Sequence, residues 1–281
     1  MSDIFTKNDI YPHEGKIKDH FKGLYESVFI AFLPFFKIDG KQAVQTLQKL
    51  TFEEAKQKID VLKNISTINA NIYTHSLDNF PSSKEIIEKG KVVSWEEISR
   101  DSGLADNSEL NKALRTSIGA LRRTFQRPDL EEKLNNYTTS QSIWHPIEGR
   151  FDLLSKVAIY KTFRLFNKNK IIAMNSYYET PGKVFELDQL TDNEFAEKIG
   201  GQDYYLYAMD KELLFAVEWD SFFFLIATST EKMKKITSEN LFEGFLCNEK
   251  TEHDWEYKEG EIQKYLDIEA KQKKEWWKFW R

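Results

Sequence analysis

Residues 217–229 read VEWDSFFFLIATS and join two carboxylates to an unbroken apolar run. In a β-strand, successive side chains point to opposite faces of the sheet. Residues 222–228 are apolar on both faces, which is typical of a strand that is covered on both sides. Before them, residues 213–219 have one face that ends at Glu218, and Asp220 continues this face if the strand extends. The other face is uniformly large and apolar and is predicted to be core: Leu213, Phe215, Val217 and Trp219.

The segments around this stretch predict further strands and two short helices. Apolar, aromatic and β-branched runs bounded by Gly, Pro, Asn or Asp indicate strands, and such runs occur at 171–179, 183–190, 204–209 and 241–247. One helix is predicted to begin at a cap on Thr191 or Asp192, and another at Ser229 or Thr230. Together these elements predict a small antiparallel meander with helices, which makes the fold class α+β.

The first ninety residues predict mainly helices. The segments are DGKQAVQTLQKL (39–50), TFEEAKQKIDVLKN (51–64) and SSKEIIEKG (82–90), and the last two begin with the spacing of a capping box. The longest apolar run, Val28–Phe36, has nine residues, whereas a membrane-spanning helix needs about 20. We therefore predict no transmembrane segment, and we expect a helical N-terminal half followed by a small antiparallel sheet with helices.

Composition divides the chain into four predicted regions: an N-terminal helical region (1–90), a basic helical region (91–168), an acidic α+β domain (169–260) and a C-terminal aromatic and basic helix (261–281). Residues 110–170 hold 12 Lys and Arg but 5 Asp and Glu, whereas residues 186–260 hold 7 and 18. This charge split either steers partners of opposite sign to different faces or lets two parts of the chain attract each other.

The chain has one cysteine, Cys247, which excludes an intrachain disulfide and a cysteine-based zinc cluster. Its apolar neighbours predict an inert core thiol. The start MSDIFTKND lacks the apolar region of a secretory signal, so we expect a cytoplasmic protein. The sequence shows no nucleotide-binding, serine-hydrolase or kinase signature, and its histidines are not paired at metal-ligand spacing. We therefore assign no catalytic residue, metal ligand or cofactor.

Residues 94–127 resemble a helix-turn-helix. Ser94 caps a short helix that ends at Ser102, and Ser108 is predicted to cap a longer basic helix after the turn. In that arrangement the second helix contacts nucleic acid, and the candidate residues are Lys112, Arg115, Arg122 and Arg123. A helix pair of this kind is equally typical of a plain helical subdomain with a basic outer face, and Gly119 weakens the second helix.

The acidic region favours a different function, the binding of a basic protein partner. Aromatic side chains supply contact area at low entropic cost, and carboxylates pair with Lys or Arg of a partner. The candidate residues are Asp203, Tyr205, Tyr207, Asp210, Glu218 and Asp220. The carboxylates Glu218 and Asp220 have two further interpretations, a solvated strand end and a carboxylate-dependent metal hydrolase. For the hydrolase, the spacing fixes no third ligand.

The C-terminal tail, QKKEWWKFWR (272–281), combines tryptophans with cations. This combination suits a membrane interface, a nucleic-acid stacking surface or a terminal helix that docks on the body of the protein. We favour the docked helix.

At WDSFFFLIAT, FEGFLC and HDWEYKEGE the chain resembles a bacterial family of unknown function, and the similarity extends back to SWEEI and TSIGALRR. The resemblance covers about the last two thirds of the chain. It implies a bacterial, cytosolic setting and brings no activity, ligand or catalytic residue.

From these observations we predict a non-enzymatic, cytoplasmic binding protein. Its acidic, aromatic C-terminal surface would bind a protein partner, in the manner of a toxin-neutralising or regulatory protein. The alternatives are nucleic-acid binding through residues 94–127 and a carboxylate-dependent metal hydrolase.

Overall fold

A computed structural model of the protein describes residues 10–43, 47–51, 53, 71–75, 80–175 and 182–278. The strands are β1 (Ser27–Phe32), β2 (Phe35–Lys37), β3 (Leu47–Thr51), β4 (Asn71–His75), β5 (Lys91–Val93), β6 (Lys170–Asn175), β7 (Lys183–Glu186), β8 (Asp203–Ala208), β9 (Leu213–Val217), β10 (Phe223–Thr228) and β11 (Gly244–Leu246). The α-helices are α1 (Ile17–His20), α2 (Ser83–Lys89), α3 (Trp95–Ser102), α4 (Asn107–Ser117), α5 (Pro128–Ser140), α6 (Leu153–Leu165), α7 (Asp192–Lys198), α8 (Thr230–Ser238) and α9 (Glu261–Lys278).

Seven of these strands form one sheet in the order β11-β1-β10-β9-β8-β6-β7, and every neighbouring pair is antiparallel. Strand β10 lies near the middle, where Leu225 is opposite Ile30 of β1 and Ala216 of β9. All six of its residues are buried. The prediction that FFFLIA is covered on both faces is therefore confirmed.

The two faces of the sheet carry separate hydrophobic cores. On one face, alternate strand residues such as Leu214 and Leu225 belong to the same core as Trp95 of α3, Leu114 of α4 and Leu134 of α5. On the other face, the residues between them pack with helices α6, α7 and α8, and the large side chains of that core include Phe163, Phe195, Phe215, Phe224 and Met233. The sheet is thus the middle of three layers, because period-2 alternation delivers an apolar surface to each side.

Helix α3 is fixed to the sheet by contacts from distant parts of the sequence. The Glu243 carboxylate accepts hydrogen bonds from the backbone N–H groups of Trp95, at 2.7 Å, and Glu96, at 3.0 Å. The Trp95 indole donates to the Leu33 carbonyl at 2.8 Å and stacks on Phe32 with ring centroids 4.3 Å apart. These bonds satisfy free N–H groups of the first helical turn and hold α3 against the first core.

The α+β class is confirmed, but the prediction of a helical N-terminal half is wrong. The run Val28–Phe36 supplies β1 and β2, and β1 is an interior strand of the main sheet. Strand β3 also replaces the end of the predicted helix 39–50, from position 47 onward. Its local sequence has helical periodicity, but pairing with β4 overrides that preference. The predicted helix 51–64 lies outside the described residues except at positions 51 and 53.

Several predicted helix starts are confirmed. Ser82 and Glu85 form a reciprocal capping box at the start of α2. Thr191 and Glu194 do the same at α7, which identifies Thr191 as the cap in that region. Ser94 caps α3, whereas α4 is capped by Asp106 and not by Ser108.

The division of the chain into four regions stays a prediction. The main sheet joins residues 27–32, from the first of these regions, to strands within 170–246.

Trp219 is not a core residue, contrary to the prediction from strand alternation. Strand β9 ends at Val217, so the alternation of faces ends there as well. Trp219 as a residue is 70% exposed. Within the described residues, no helix is both long and apolar enough to cross a membrane.

We predict that truncating the central strand is far more costly than truncating an edge strand. Phe224→Ala removes a fully buried ring and should lower the free energy of unfolding by about 3–5 kcal/mol. The control, Val184→Ala, alters a residue of β7 that is 56% exposed and should change it by less than about 0.5 kcal/mol. Urea denaturation measures both values, and equal losses would contradict the assigned burial of β10.

Candidate functional site

The turn between β9 and β10 holds Trp219 in a fixed and exposed position. Asp220 has a left-handed backbone with φ 60°, a conformation that Asp tolerates better than most residues. The Gly149 N–H donates to the Ser221 carbonyl at 2.9 Å. A Cβ on Gly149 would lie 3.2 Å from the Trp219 Cα, and its own φ is +64°. The loop around residue 149 therefore braces the turn at a distance that favours glycine.

Beneath this turn, Glu218 joins two histidines from opposite ends of the chain. Its Oε1 lies 2.6 Å from His13 Nδ1, and its Oε2 lies 2.8 Å from His253 Nε2. Burial works against ionisation of Glu218, but the imidazoles of His253 and His13 outweigh it and lower the pKa of this carboxyl below 4.5. Glu218 is therefore an anion held between two rings.

His253 is the better buried of the two rings, with a side chain that is 14% exposed. Burial opposes its protonation, but the carboxylates of Asp254 and Glu218 prevail and raise the pKa of His253 to about 9. Its Nδ1 lies 3.6 Å from Asp254 Oδ1. The ring is consequently an imidazolium at neutral pH, and it bridges two carboxylates.

The charges continue from Asp254 into helix α4. Arg115 Nη1 lies 3.5 Å from Asp254 Oδ1 and also contacts Glu256, whose carboxyl side chain is fully buried. Burial raises the pKa of Glu256, and the Arg115 guanidinium opposes that effect. We call this connected set the terminal ion network: His13, Arg115, Glu218, His253, Asp254 and Glu256. It attaches residues from both ends of the chain to α4 and to the end of β9.

Asp220 stands above the network among other carboxylates. Its pKa is raised by partial burial and by Glu148 and Glu218, and Arg115 offsets only part of this. The ionised carboxylate is therefore less stable here than in water, and a nearby cation would favour it. Together with the exposed Trp219, Asp220 and Glu148 form a small surface that we call the Trp219 surface.

Of the six predicted partner-binding residues, the structure brings only Asp220 to this surface and places Glu218 beneath it. Tyr205 and Tyr207 are 3% and 5% exposed and belong to the first core. Asp203 is also buried, and it accepts hydrogen bonds from Lys183 Nζ at 3.0 Å and from the Gly200 N–H at 2.7 Å.

Asp210 lies in the hairpin at the other end of β9, where Lys168 contacts both Asp210 and Glu212. The predicted continuous acidic surface is thus divided between the core and two ends of the sheet.

The predicted nucleic-acid-binding residues are also placed differently from expectation. Helix α4 ends at Ser117, so Arg122 and Arg123 lie beyond it in the following loop, where both are exposed. Lys112 is buried, with its Nζ 2.8 Å from Glu261 Oε1, and Arg115 belongs to the terminal ion network. Arg122 Nη1 lies 3.7 Å from Glu269. Three of the four cations are therefore paired with carboxylates of the C-terminal segment.

The described part of the chain offers little support for a metal site or a reactive thiol. No group of three or more His, Cys, Asp or Glu there is arranged to hold a metal ion. Cys247 is buried, which confirms its predicted core position, and burial raises the pKa of its thiol to about 12, which disfavours the reactive thiolate.

The sequence, in which no histidines are paired at metal-ligand spacing, gives no sign of the contacts of His13 and His253 with Glu218. Their partner Glu218 is 205 residues from His13 and 35 from His253 along the chain. No local spacing reports such contacts. The sole local hint was the pair His253-Asp254, in which a carboxylate directly follows the ring.

We predict that His253 makes stability depend on alkaline pH. The ordinary histidine pKa is 6.5 and the folded value is about 9, so its stabilising effect is complete below 6.5 and is lost as pH rises through 9. The wild type should lose on the order of 2 kcal/mol of unfolding free energy between about pH 7 and about pH 10 through this group. His253→Gln should remove that loss, and His20→Gln, outside the network, should retain it. Urea titrations across this range test the prediction, and parallel profiles for wild type and His253→Gln would contradict it.

A family model described as a protein of unknown function (DUF2711) matches residues 13–257. A relative from Bacillus subtilis (strain 168), Uncharacterized protein YwbB, is 24% identical over 233 residues, which are 82% of this chain and 90% of the relative. No solved structure gives a significant match. The family match includes every residue of the terminal ion network. The resemblance to a bacterial family of unknown function is confirmed, and the chain belongs to the DUF2711 family of proteins of unknown function.

Proposed function

We propose that this protein is a non-catalytic binding protein whose Trp219 surface contacts a basic side chain of a protein partner. The observation that supports this proposal is a tryptophan residue that is 70% exposed on a braced turn. Tryptophan is enriched among the residues that contribute most to protein–protein affinity. A turn that is already rigid loses little conformational freedom on binding.

The charges around Trp219 favour a cationic partner group. Asp220 has a raised pKa because of partial burial and the nearby Glu148 and Glu218, so a lysine or arginine of the partner would relieve this repulsion. The same cation can lie over the indole face, an attraction worth about 0.5–2 kcal/mol. Covering the exposed part of a tryptophan adds roughly 3 kcal/mol before the costs of association.

The proposed surface is smaller than the sequence alone predicts. It keeps Asp220 and places Glu218 beneath as its support, while Asp203, Tyr205, Tyr207 and Asp210 have structural contacts or lie elsewhere. The metal hydrolase gains no support, because no group of three or more His, Cys, Asp or Glu among the described residues is arranged to hold a metal ion. The cytoplasmic location also stays an expectation.

We predict that Trp219→Ala and Asp220→Asn each reduce capture of the partner. Asparagine tolerates the left-handed backbone at position 220, so this change removes the charge without straining the turn. Affinity purification of tagged variants from the native bacterium, followed by quantitative mass spectrometry, identifies proteins retained by the wild type. We expect at least one such protein to be depleted by about tenfold or more in both variants, the equivalent of about 1.4 kcal/mol.

Two matched variants separate the Trp219 surface from general surface effects. Met209→Ala changes another exposed apolar residue, 52% exposed, in the hairpin at the opposite end of β9. Glu231→Gln removes an exposed carboxylate on α8. Both should capture the partner as the wild type does. If all four variants retain the same proteins at the same levels, the Trp219 surface is not the binding site.

A further inference from the structure

Carboxylates of residues 254–269 form ion pairs with the basic residues that follow α3. Glu261 meets Lys112 at 2.8 Å, and Glu269 Oε2 lies 3.7 Å from Arg122 while its Oε1 accepts a hydrogen bond from the Thr124 hydroxyl at 2.6 Å. Asp254 and Glu256 both contact Arg115. We call this acidic stretch the C-terminal cover. Helix α9, which carries the last three carboxylates of the cover, Glu261, Asp267 and Glu269, lies beyond the residues matched by the family model.

Aromatic rings of the cover alternate with these charges. The Lys112 Nζ lies 4.5 Å from the centre of the Tyr257 ring. Phe125 of the body has its ring centre 4.7 Å from that of Tyr265 and 5.6 Å from that of Tyr257. The surface under the cover therefore accepts both negative charges and flat rings.

The contact also leaves buried polar atoms without hydrogen-bond partners. On the body side, these atoms include Arg115 Nε, and both amide atoms of the fully buried Asn111, one turn earlier on α4, also lack hydrogen-bond partners. On the cover side they include Trp255 Nε1 and the Tyr257 hydroxyl. Buried polar groups are normally bonded, so the cover is an incomplete match for the surface that it occupies.

We propose that the surface under the C-terminal cover binds single-stranded nucleic acid, and that the cover occupies it as an intramolecular mimic. Phosphates would replace the carboxylates of Glu261 and Glu269 beside Lys112 and Arg122. A base would stack on Phe125 in place of Tyr265, since alternating cations and aromatic rings are typical of single-strand binding. Asn111 has a free amide donor and acceptor, the pair that asparagine offers to a base edge.

An acidic protein segment is the competing occupant, because the cover itself is one. Positive charge extends beyond the cover through two arginines. Arg123 is exposed, and the side chain of Arg122 is 70% exposed although it pairs with Glu269. This extension suits a ligand with a repeating charge that continues along the surface. While the cover is closed, its carboxylates occupy the cations of the surface, and the whole chain has a net charge of −5. The closed protein would therefore bind such a ligand weakly.

The test loosens the cover in the full-length protein without adding positive charge. Glu261→Gln combined with Glu269→Gln removes two of its contacts to Lys112 and Arg122. Glu231→Gln combined with Glu252→Gln is the control, because it removes the same charge from two exposed positions outside the cover. Hydrogen exchange of the α9 amides measures opening, and fluorescence anisotropy measures binding of a labelled twenty-nucleotide single-stranded DNA and of labelled poly-glutamate.

We expect the Glu261/Glu269 variant to exchange its α9 amides faster and to bind the oligonucleotide at least about tenfold more tightly than wild type or control. Raising the salt from about 50 to about 200 mM should weaken this binding by about tenfold, as counterion release requires for a few phosphate contacts. Adding Arg122→Gln and Arg123→Gln to the open variant should abolish the gain.

Three results would overturn the proposal. In the first, α9 opens but the oligonucleotide binds no more tightly than to the control. In the second, exchange in α9 is unchanged, which means that these carboxylates do not hold the cover. In the third, the open variant binds poly-glutamate as tightly as DNA, which assigns the surface to an acidic protein.

Discussion

The burial of β10 on both faces is the constraint on which the rest of the structure depends. A strand with six buried residues needs an apolar layer above and below the sheet and a paired strand on each side. Strands β1 and β9 supply the pairing, and two groups of helices supply the layers. Because β1 comes from the start of the chain, this constraint also draws both ends of the sequence to one sheet.

The sequence predicts the parts of this arrangement that depend on local periodicity. The two faces of residues 213–217, the burial of FFFLIA and the caps of α2 and α7 all follow from side-chain direction and short-range hydrogen bonds. The pairing of β1 with β10 does not follow from local periodicity, because Val28 and Ala227 are opposite each other but nearly two hundred positions apart. An apolar run shows that a segment is buried, and long-range pairing decides whether it is a strand.

The candidate site shows the same division at the level of single residues. Glu218 could be singled out from its place at a strand end, but its function as the anion between His13 and His253 rests on contacts over 205 and 35 positions. Lys112 and Arg115 could be identified as a basic helix face, but not as buried partners of Glu261 and Glu256. The uneven charge along the chain had allowed two outcomes, steering of partners or attraction within the molecule. In the structure, Lys112 and Arg115 are attracted to carboxylates of the same molecule.

These internal pairs also determine which charges remain for partners. An arginine or lysine already bonded to a buried carboxylate must lose that contact before it meets a ligand, and breaking a buried pair is costly. The pair of Glu269 with Arg122, whose side chain is 70% exposed, contributes much less, so the proposed opening would begin at the outer end of the cover while Arg115 and Glu256 stay joined. Asp220 is the opposite case, since partial burial and the carboxylates of Glu148 and Glu218 raise its pKa, and Arg115 offsets only part of this. The protein thus has two charged surfaces. At the Trp219 surface, a bound cation would relieve the repulsion around Asp220. At the basic surface under the cover, carboxylates of the C-terminal segment already neutralise part of the charge.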